Sequence, residues 1–315
     1  MATRAERVAI GRRRILNILR TYTVAGLRTL EQKISDAGPP DQRIDPHLLT
    51  EAKRALGDQI TSTGIWLHLR NAPAHEVARR IAELEPLHRA ISKRDVLDRI
   101  GQALEIAVYR ALKAQQEMQY LGAILDLDEH DDSTRYSRDD APSALSGRVI
   151  PGKRKLDFVV GNEVLGWAGV EVKNVREWYY PSRLEIRHLL FKCYHLNVVP
   201  VLIARRIHYS TKLVFESCGV IFWEMLRQRY PASEAELASK VSDKTMLGYH
   251  DIILGNEPDP QLVRFIHDVL PNGLEAARER FNHYSTLLGS YAEGKTFYRE
   301  LTLELGHGSL NGAND

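Results

Sequence analysis

Residues 155–174 read KLDFVVGNEVLGWAGVEVKN. Apolar residues alternate with polar ones on both sides of Gly161-Asn162, a dipeptide that favours tight turns, so the stretch predicts a β-hairpin with strands at 155–160 and 164–173. Alternation along the second strand puts Gly169, Glu171 and Lys173 on one face and Ala168, Val170 and Val172 on the other. Asp157, on the preceding strand of the hairpin, can point to the side of Glu171. Two carboxylates on neighbouring strands supply oxygen ligands for a hard divalent cation. Lys173 follows Glu171 by ~6–7 Å along the strand, within reach of a phosphate oxygen or a bound water. Such a set suits metal-assisted phosphodiester hydrolysis.

The pattern continues on either side of the hairpin. Downstream, the spacing predicts a helix over 182–196 that buries Ile186, Leu189, Leu190 and Cys193. A buried strand follows at 198–204, then a helix at 211–218 and a last strand at 220–223. Upstream, Leu97, Gly101, Leu104 and Val108 form a helical stripe with Glu105 at its edge, and a first core strand is expected within 121–127. Between them, residues 126–140 carry seven acidic and two basic side chains, which reads as a solvated, mobile loop. An EF-hand is excluded there. Counted from Asp126, its sixth and twelfth positions are Asp131 and Ser137, where glycine and glutamate are required.

Asp157 followed by Glu171-Val172-Lys173 resembles the PD-(D/E)xK signature of the restriction-endonuclease-like nuclease superfamily. The resemblance covers residues 96–228 and implies an α/β core, a mixed central sheet flanked by helices. It implies a magnesium ion, with manganese as substitute, on Asp157, Glu171 and the Val172 carbonyl. Lys173 would orient the attacking water, and Glu105 would contact a second metal or its water shell. Arg183 and Arg187, one helical turn apart, would hold neighbouring phosphates. The sequence departs from the pattern in two ways. Leu156 stands where the motif's name has proline, and Arg183, Arg187 and Lys192 replace the glutamine and tyrosine of some branches. The resemblance also implies DNA as partner and action as a homodimer.

The first ~90 residues read as helices with one short strand. The third helix opens at Asp45-Pro46, an N-cap carboxylate followed by proline at the first helical position. It comes after a Gly38-Pro39-Pro40 stop and before the alternating strand 65–70. This order resembles a winged helix-turn-helix, which would offer His47, Thr50, Lys53 and Arg54 of the third helix to the major groove. The expected division is therefore a DNA-binding domain at 1–92, a nuclease core at 93–238, a helical C-terminal extension at 239–305 and a disordered tail at 306–315.

Charge fits this division. The 315 residues hold 43 Lys+Arg against 41 Asp+Glu, yet residues 1–70 carry a net +5 that the acidic loop at 126–140 offsets. A uniformly basic coat protein is excluded, whereas a nucleic-acid enzyme with a basic front end is not. Two cysteines, Cys193 and Cys218, build neither a disulfide framework nor a four-cysteine zinc site and read as reduced, buried thiols. The longest apolar runs are far shorter than the ~20 residues of a membrane span, and the arginine-rich start lacks a signal's apolar core. A cytoplasmic protein without membrane contact is expected.

Residues 289–296, GSYAEGKT, match the P-loop pattern. They follow a run of helical period rather than a strand, so no nucleotide cofactor is expected. Trp178, Tyr179 and Tyr180 read as packing residues. Two readings compete with a DNA endonuclease: a DNA-binding regulator whose nuclease-like core does not cut, and a nuclease acting on RNA or on branched or single-stranded DNA.

Overall fold

A computed structural model describes residues 2–35 and 44–306. The Gly38-Pro39-Pro40 stop and the expected tail from 307 onward lie outside them. The chain forms two compact units, Met1–Leu97 with Glu234–Ile252, and Asp98–Ser233 with Ile253–Asp315. Among the described residues no helix is long and apolar enough to cross a membrane.

The first unit runs α1 (Arg4–Tyr22), β1 (Val24–Gly26), α2 (Leu27–Ile34), α3 (Pro46–Arg54), β2 (Ile60–Thr63), β3 (Trp66–Leu69) and α4 (Ala74–Ile91). Its three strands form an antiparallel sheet in the order β1-β3-β2. Two of them, β1 and β2, were not expected: β1 has only three residues, and β2 is polar after Ile60, so neither shows an apolar alternation. Helix α3 starts where its cap predicts, with the Asp45 carboxylate accepting from the amides of His47 and Leu48 at 2.9 and 3.0 Å. It buries Leu48, Leu49 and Ala52 against Ile15 and Leu19 of α1, each leucine contributing roughly 1.5–3 kcal/mol. A Cβ on Gly11 would lie 2.9 Å from that of Ala52, so the glycine allows α1 and α3 to meet.

Helix α5 (Arg94–Ala114) leads into the second unit. After it come β4 (Gln119–Leu121) and four two-residue strands, β5 (Ala123–Ile124), β6 (Arg138–Asp139), β7 (Ala144–Leu145) and β8 (Arg148–Val149). The central elements are β9 (Phe158–Asn162), β10 (Gly166–Lys173), α6 (Leu184–Leu196), β11 (Val199–Ala204), α7 (Tyr209–Ser217) and β12 (Ile221–Glu224). The remainder is β13 (Gln228–Tyr230), α8 (Ala235–Ser242), β14 (Ile252–Leu254), α9 (Pro260–Arg264), α10 (Leu270–Ala292) and α11 (Tyr298–Glu304).

The fold is α/β, with a mixed five-stranded sheet in the order β12-β11-β10-β9-β4. Strands β4, β9 and β10 are antiparallel neighbours, while β10, β11 and β12 run parallel. Parallel neighbours need a crossover, which α6 and α7 provide. Helix α6 ends at Asn197, a left-handed cap with φ of 56°, a conformation that asparagine tolerates. Strand β11 is buried along its whole length, as its unbroken apolar run requires. Ala168, Val170 and Val172 share a core with Leu104, Val108 and Leu112 of α5. Cys193, Leu189 and Leu190 of α6 pack with Leu156 and Val159 in a second core.

Several expectations need correction. The hairpin turn lies at 163–165, not at Gly161-Asn162. Gly161 stays in β9 opposite Trp167, and the Asn162 side chain closes the turn by accepting from the amides of Val164 and Leu165 at 3.0 and 2.8 Å. Asp157 consequently stands just before β9 rather than inside it. The boundaries expected at 92, 238 and 305 also differ from the compact units, which break at 97, 233 and 252. Helix α8 packs on α4, and Lys33 donates to the Lys244 carbonyl at 2.9 Å, so this segment groups with the first unit. The last helices form no separate extension, because Leu262, Phe265, Leu270 and Leu274 lie in the core beneath β10.

Gly11→Ala tests the α1–α3 crossing. A methyl group forced against Ala52 should destabilise the protein by about 1–3 kcal/mol, read as a lower urea midpoint. An unchanged midpoint would show that the two helices separate freely.

Candidate active site

Alternation along β10 turns Glu171 and Lys173 to the face that α6 covers. Gly169 precedes them on that face, and a Cβ there would lie 2.7 Å from both Cys193 Sγ and Leu156 Cδ1, so only glycine admits the helix so closely. Glu171 is 6% exposed. Its Oε2 lies 2.7 Å from Lys173 Nζ, and its Oε1 accepts from Lys192 Nζ of α6. Lys192 also donates to the Lys155 carbonyl at 3.0 Å, which pins α6 to the chain entering β9.

Asp157 reaches the same place from the neighbouring strand. Its amide donates to the Val170 carbonyl at 3.1 Å. Its Oδ2 accepts from the Val172 amide at 2.8 Å and lies 3.5 Å from Lys173 Nζ. In an extended strand the N–H and C=O of one residue point to the same edge. The Val172 carbonyl therefore faces the Asp157 edge, beyond the last β9–β10 pair of Phe158 with Val170.

The acidic segment is folded, contrary to its reading as a mobile loop. Ile124 pairs with Arg138 and Ala123 with Asp139. Gln102 of α5 clamps Tyr136, donating to its carbonyl at 2.8 Å and accepting from its amide at 2.7 Å. Asp132 is buried and accepts from Asn256 at 2.8 Å and from the Tyr136 hydroxyl. These bonds bring Arg138 to the carboxylates. One terminal nitrogen lies 2.8 Å from Glu105 Oε2, the other 3.4 Å from Asp157 Oδ1, and its Nε lies 2.8 Å from Asp140. Lys155 completes the chain at 3.1 Å from Asp140.

Asn174, buried directly after Lys173, fixes α5 beside the strand. Its side-chain amide donates to the Ile100 and Arg229 carbonyls, the latter at 2.7 Å, and accepts from the Arg229 amide at 3.0 Å. Glu105 thus faces the site from a helix anchored at the end of β10.

The electrostatics separate the two outer carboxylates. Burial, reinforced by the nearby Asp157 charge and opposed by Arg138, pushes the Glu105 carboxyl up to about 7. Burial also acts against the Asp157 charge, yet Lys173, the Val172 amide, Arg138 and Lys192 outweigh it and hold that carboxyl below its usual range. For Lys173, burial is outweighed by Asp157 and Glu105, so its ammonium holds its proton more tightly than usual. Burial pulls Lys192 down. Two carboxyl groups whose environments drive them apart are what acid–base chemistry needs.

The structure brings together Asp157, Glu171, Lys173, Glu105 and the backbone of Val172. The helix arginines are engaged elsewhere. Arg183 pairs with Glu185 at 2.6 Å and lies over the Tyr179 ring, and Arg187 lies over the Tyr291 ring. In the first unit, His47, Thr50 and Arg54 are exposed on α3 and Lys53 is half-buried, with the Thr50 hydroxyl donating to the Pro46 carbonyl at 2.9 Å. Tyr179 is 1% exposed and packs in the second core. Residues 289–292 of the GSYAEGKT pattern lie in α10. Sequence reasoning assigned no role to Arg138, Lys192 or Asn174. Lys192 carried a usable signal, because it follows Leu189 by three residues and so falls on the buried stripe of α6, where an unpaired lysine is costly.

The oxygen donors from the end of β9's approach and from β10 suit a hard divalent cation, although among the described residues no cluster of three or more His, Cys, Asp or Glu is arranged to hold one. No family model, curated protein or solved structure matches the chain.

The Glu105 shift has a definite sign. A carboxyl held near 7 in the fold and near its ordinary value in the unfolded chain binds its proton more tightly when folded, so stability falls as pH rises from about 4.5 to 7. Glu105→Gln removes that loss. Urea unfolding at pH 5 and pH 8 should show the variant gaining on the parent by on the order of 2 kcal/mol. A difference that does not change with pH would contradict the assignment.

Proposed function

We propose that the chain is a magnesium-dependent endodeoxyribonuclease with a core on the PD-(D/E)xK plan and an N-terminal winged helix that grips duplex DNA. The observation that carries this reading is the meeting of Asp157, Glu171 and Lys173, with one ammonium 2.7 Å from Glu171 and 3.5 Å from Asp157. Asp157, Glu171 and the Val172 carbonyl would hold magnesium, or manganese in its place. When bound, the cation polarises the scissile phosphate and lowers the pKa of a coordinated water. Lys173 keeps its proton and so presents a positive charge to the negative charge that develops on the phosphoryl oxygens. Glu105, poised near neutrality, is suited to exchange a proton with water at the site.

Two features of the fold support the reading. The mixed sheet β12-β11-β10-β9-β4, with α5 before it and α6 after β10, is of the kind the resemblance implies. In the first unit three helices are followed by the hairpin β2-β3, the order on which the winged-helix resemblance rests. On α3, His47, Thr50 and Arg54 are exposed opposite the buried Leu48, Leu49 and Ala52. A second reading, a regulator that binds DNA without cutting it, is favoured by the ion pairing of both Glu171 oxygens by Lys173 and Lys192.

Nicking of supercoiled plasmid with magnesium or manganese separates the two. Asp157→Ala and Lys173→Ala should each lower the rate by about 10²–10³-fold or more, while gel-shift affinity for duplex survives. Undiminished cleavage by Lys173→Ala protein would overturn the assignment. The absence of nicking by the parent, on RNA and branched DNA as well, would select the regulator. Arg54→Ala should weaken duplex binding across sequences and reduce the salt slope of log K by about one. An unchanged slope would remove α3 from the interface.

A further inference from the structure

Arg138 belongs to no part of the nuclease signature, yet the fold places it with care. It sits on the β5–β6 ladder opposite Ile124, next to the Tyr136 backbone that Gln102 clamps on both sides. Gly122, with φ of 103°, passes so close to the Asp157 carbonyl that a Cβ would lie 2.8 Å from it. The segment bearing Arg138 can therefore approach the site only with glycine at that position.

The oxygens it takes are informative. Asp157 Oδ2 accepts from the Val172 amide at 2.8 Å, and the other oxygen, Oδ1, is the atom 3.4 Å from Arg138. The same guanidinium holds Glu105 Oε2 at 2.8 Å. A carboxylate oxygen engaged by a guanidinium is electrostatically satisfied, and a cation arriving there must displace it. Asp140, 2.8 Å from Nε, contacts a part of Arg138 that neither Glu105 nor Asp157 uses.

We infer that Arg138 is a built-in counter-ion that competes with the divalent cation for Asp157, and so sets the cation affinity of the site. This rests on the metal-site reading above and goes beyond it. Loading requires the guanidinium to release Asp157, while Glu105 and Asp140 retain it. Arg138 thereby weakens cation binding instead of assisting it, the opposite of what a merely structural residue would do.

Manganese titration of the full chain by calorimetry, at pH 8 and without nucleic acid, tests the inference. Arg138→Gln should bind manganese roughly tenfold tighter than the parent. Arg138→Lys, which keeps a charge but loses the planar fork, should fall between the two. Asp157→Asn should abolish binding in either background. Circular dichroism melts show that each variant is folded, and Arg138→Lys covers the case in which Arg138→Gln is not. Equal or weaker binding by folded Arg138→Gln, with Asp157-dependent binding intact in the parent, would overturn the counter-ion role alone. A parent and an Arg138→Gln variant that both fail to bind manganese would overturn the metal-site reading and the inference with it.

Discussion

Glu171 is an acidic side chain near the end of the central strand, 6% exposed. Taking an ionised carboxylate out of water costs several kcal/mol even after relaxation, unless opposite charge and hydrogen bonds meet it. Two lysines answer that demand from different elements. Lys173 comes from the same face of β10, and Lys192 comes from α6, which covers that face. Because Lys192 also donates to the Lys155 carbonyl, the pair ties strand, crossover helix and the approach to β9 to one point. Gly169 lets α6 come near enough for this, since any Cβ there would strike Cys193.

From Glu171 the charges alternate outward. Lys173 is shared with Asp157, Asp157 with Arg138, Arg138 with Glu105 and Asp140, and Asp140 with Lys155. A network of this kind adds little net stability over a well-packed apolar core, but removing one member strands a buried charge. The fold therefore invests in holding every member in place. Asn174 binds α5 to the end of β10, and Gln102 with Asn256 folds the acidic segment so that it delivers Arg138. The charged network lies beside two hydrophobic cores, one on each face of the sheet.

The pattern of the chain carried much of this. The alternation in β10 placed Glu171 and Lys173 together, and the period of α6 and the apolar run of β11 marked a helix and a buried strand after it. Asp45-Pro46 fixed the start of α3. These features rest on local rules, in which side-chain direction follows from position along one strand or helix. The turn at 163–165 was misplaced because Gly161 reads as a turn residue, whereas its freedom serves the close pairing of β9 with β10. The strands β1 and β2 show no apolar alternation, β1 because it has three residues and β2 because it is polar after Ile60.

Arg138 shows where local rules stop. In the chain it is one basic residue in an acidic run, and nothing in that run says that Asp132 is buried against Asn256, 124 residues away. Composition made the segment look solvated because it counts charges without pairing them. The grouping of α8 with the first unit and of α9 to α11 with the second is of the same kind, set by which apolar faces find each other across long stretches of chain. The residue types and their order were thus enough to name the carboxylates and the lysine of the candidate site. Which cations neutralise those carboxylates, and from which elements they come, depends on contacts between distant segments, because a charge is matched in space and not along the sequence.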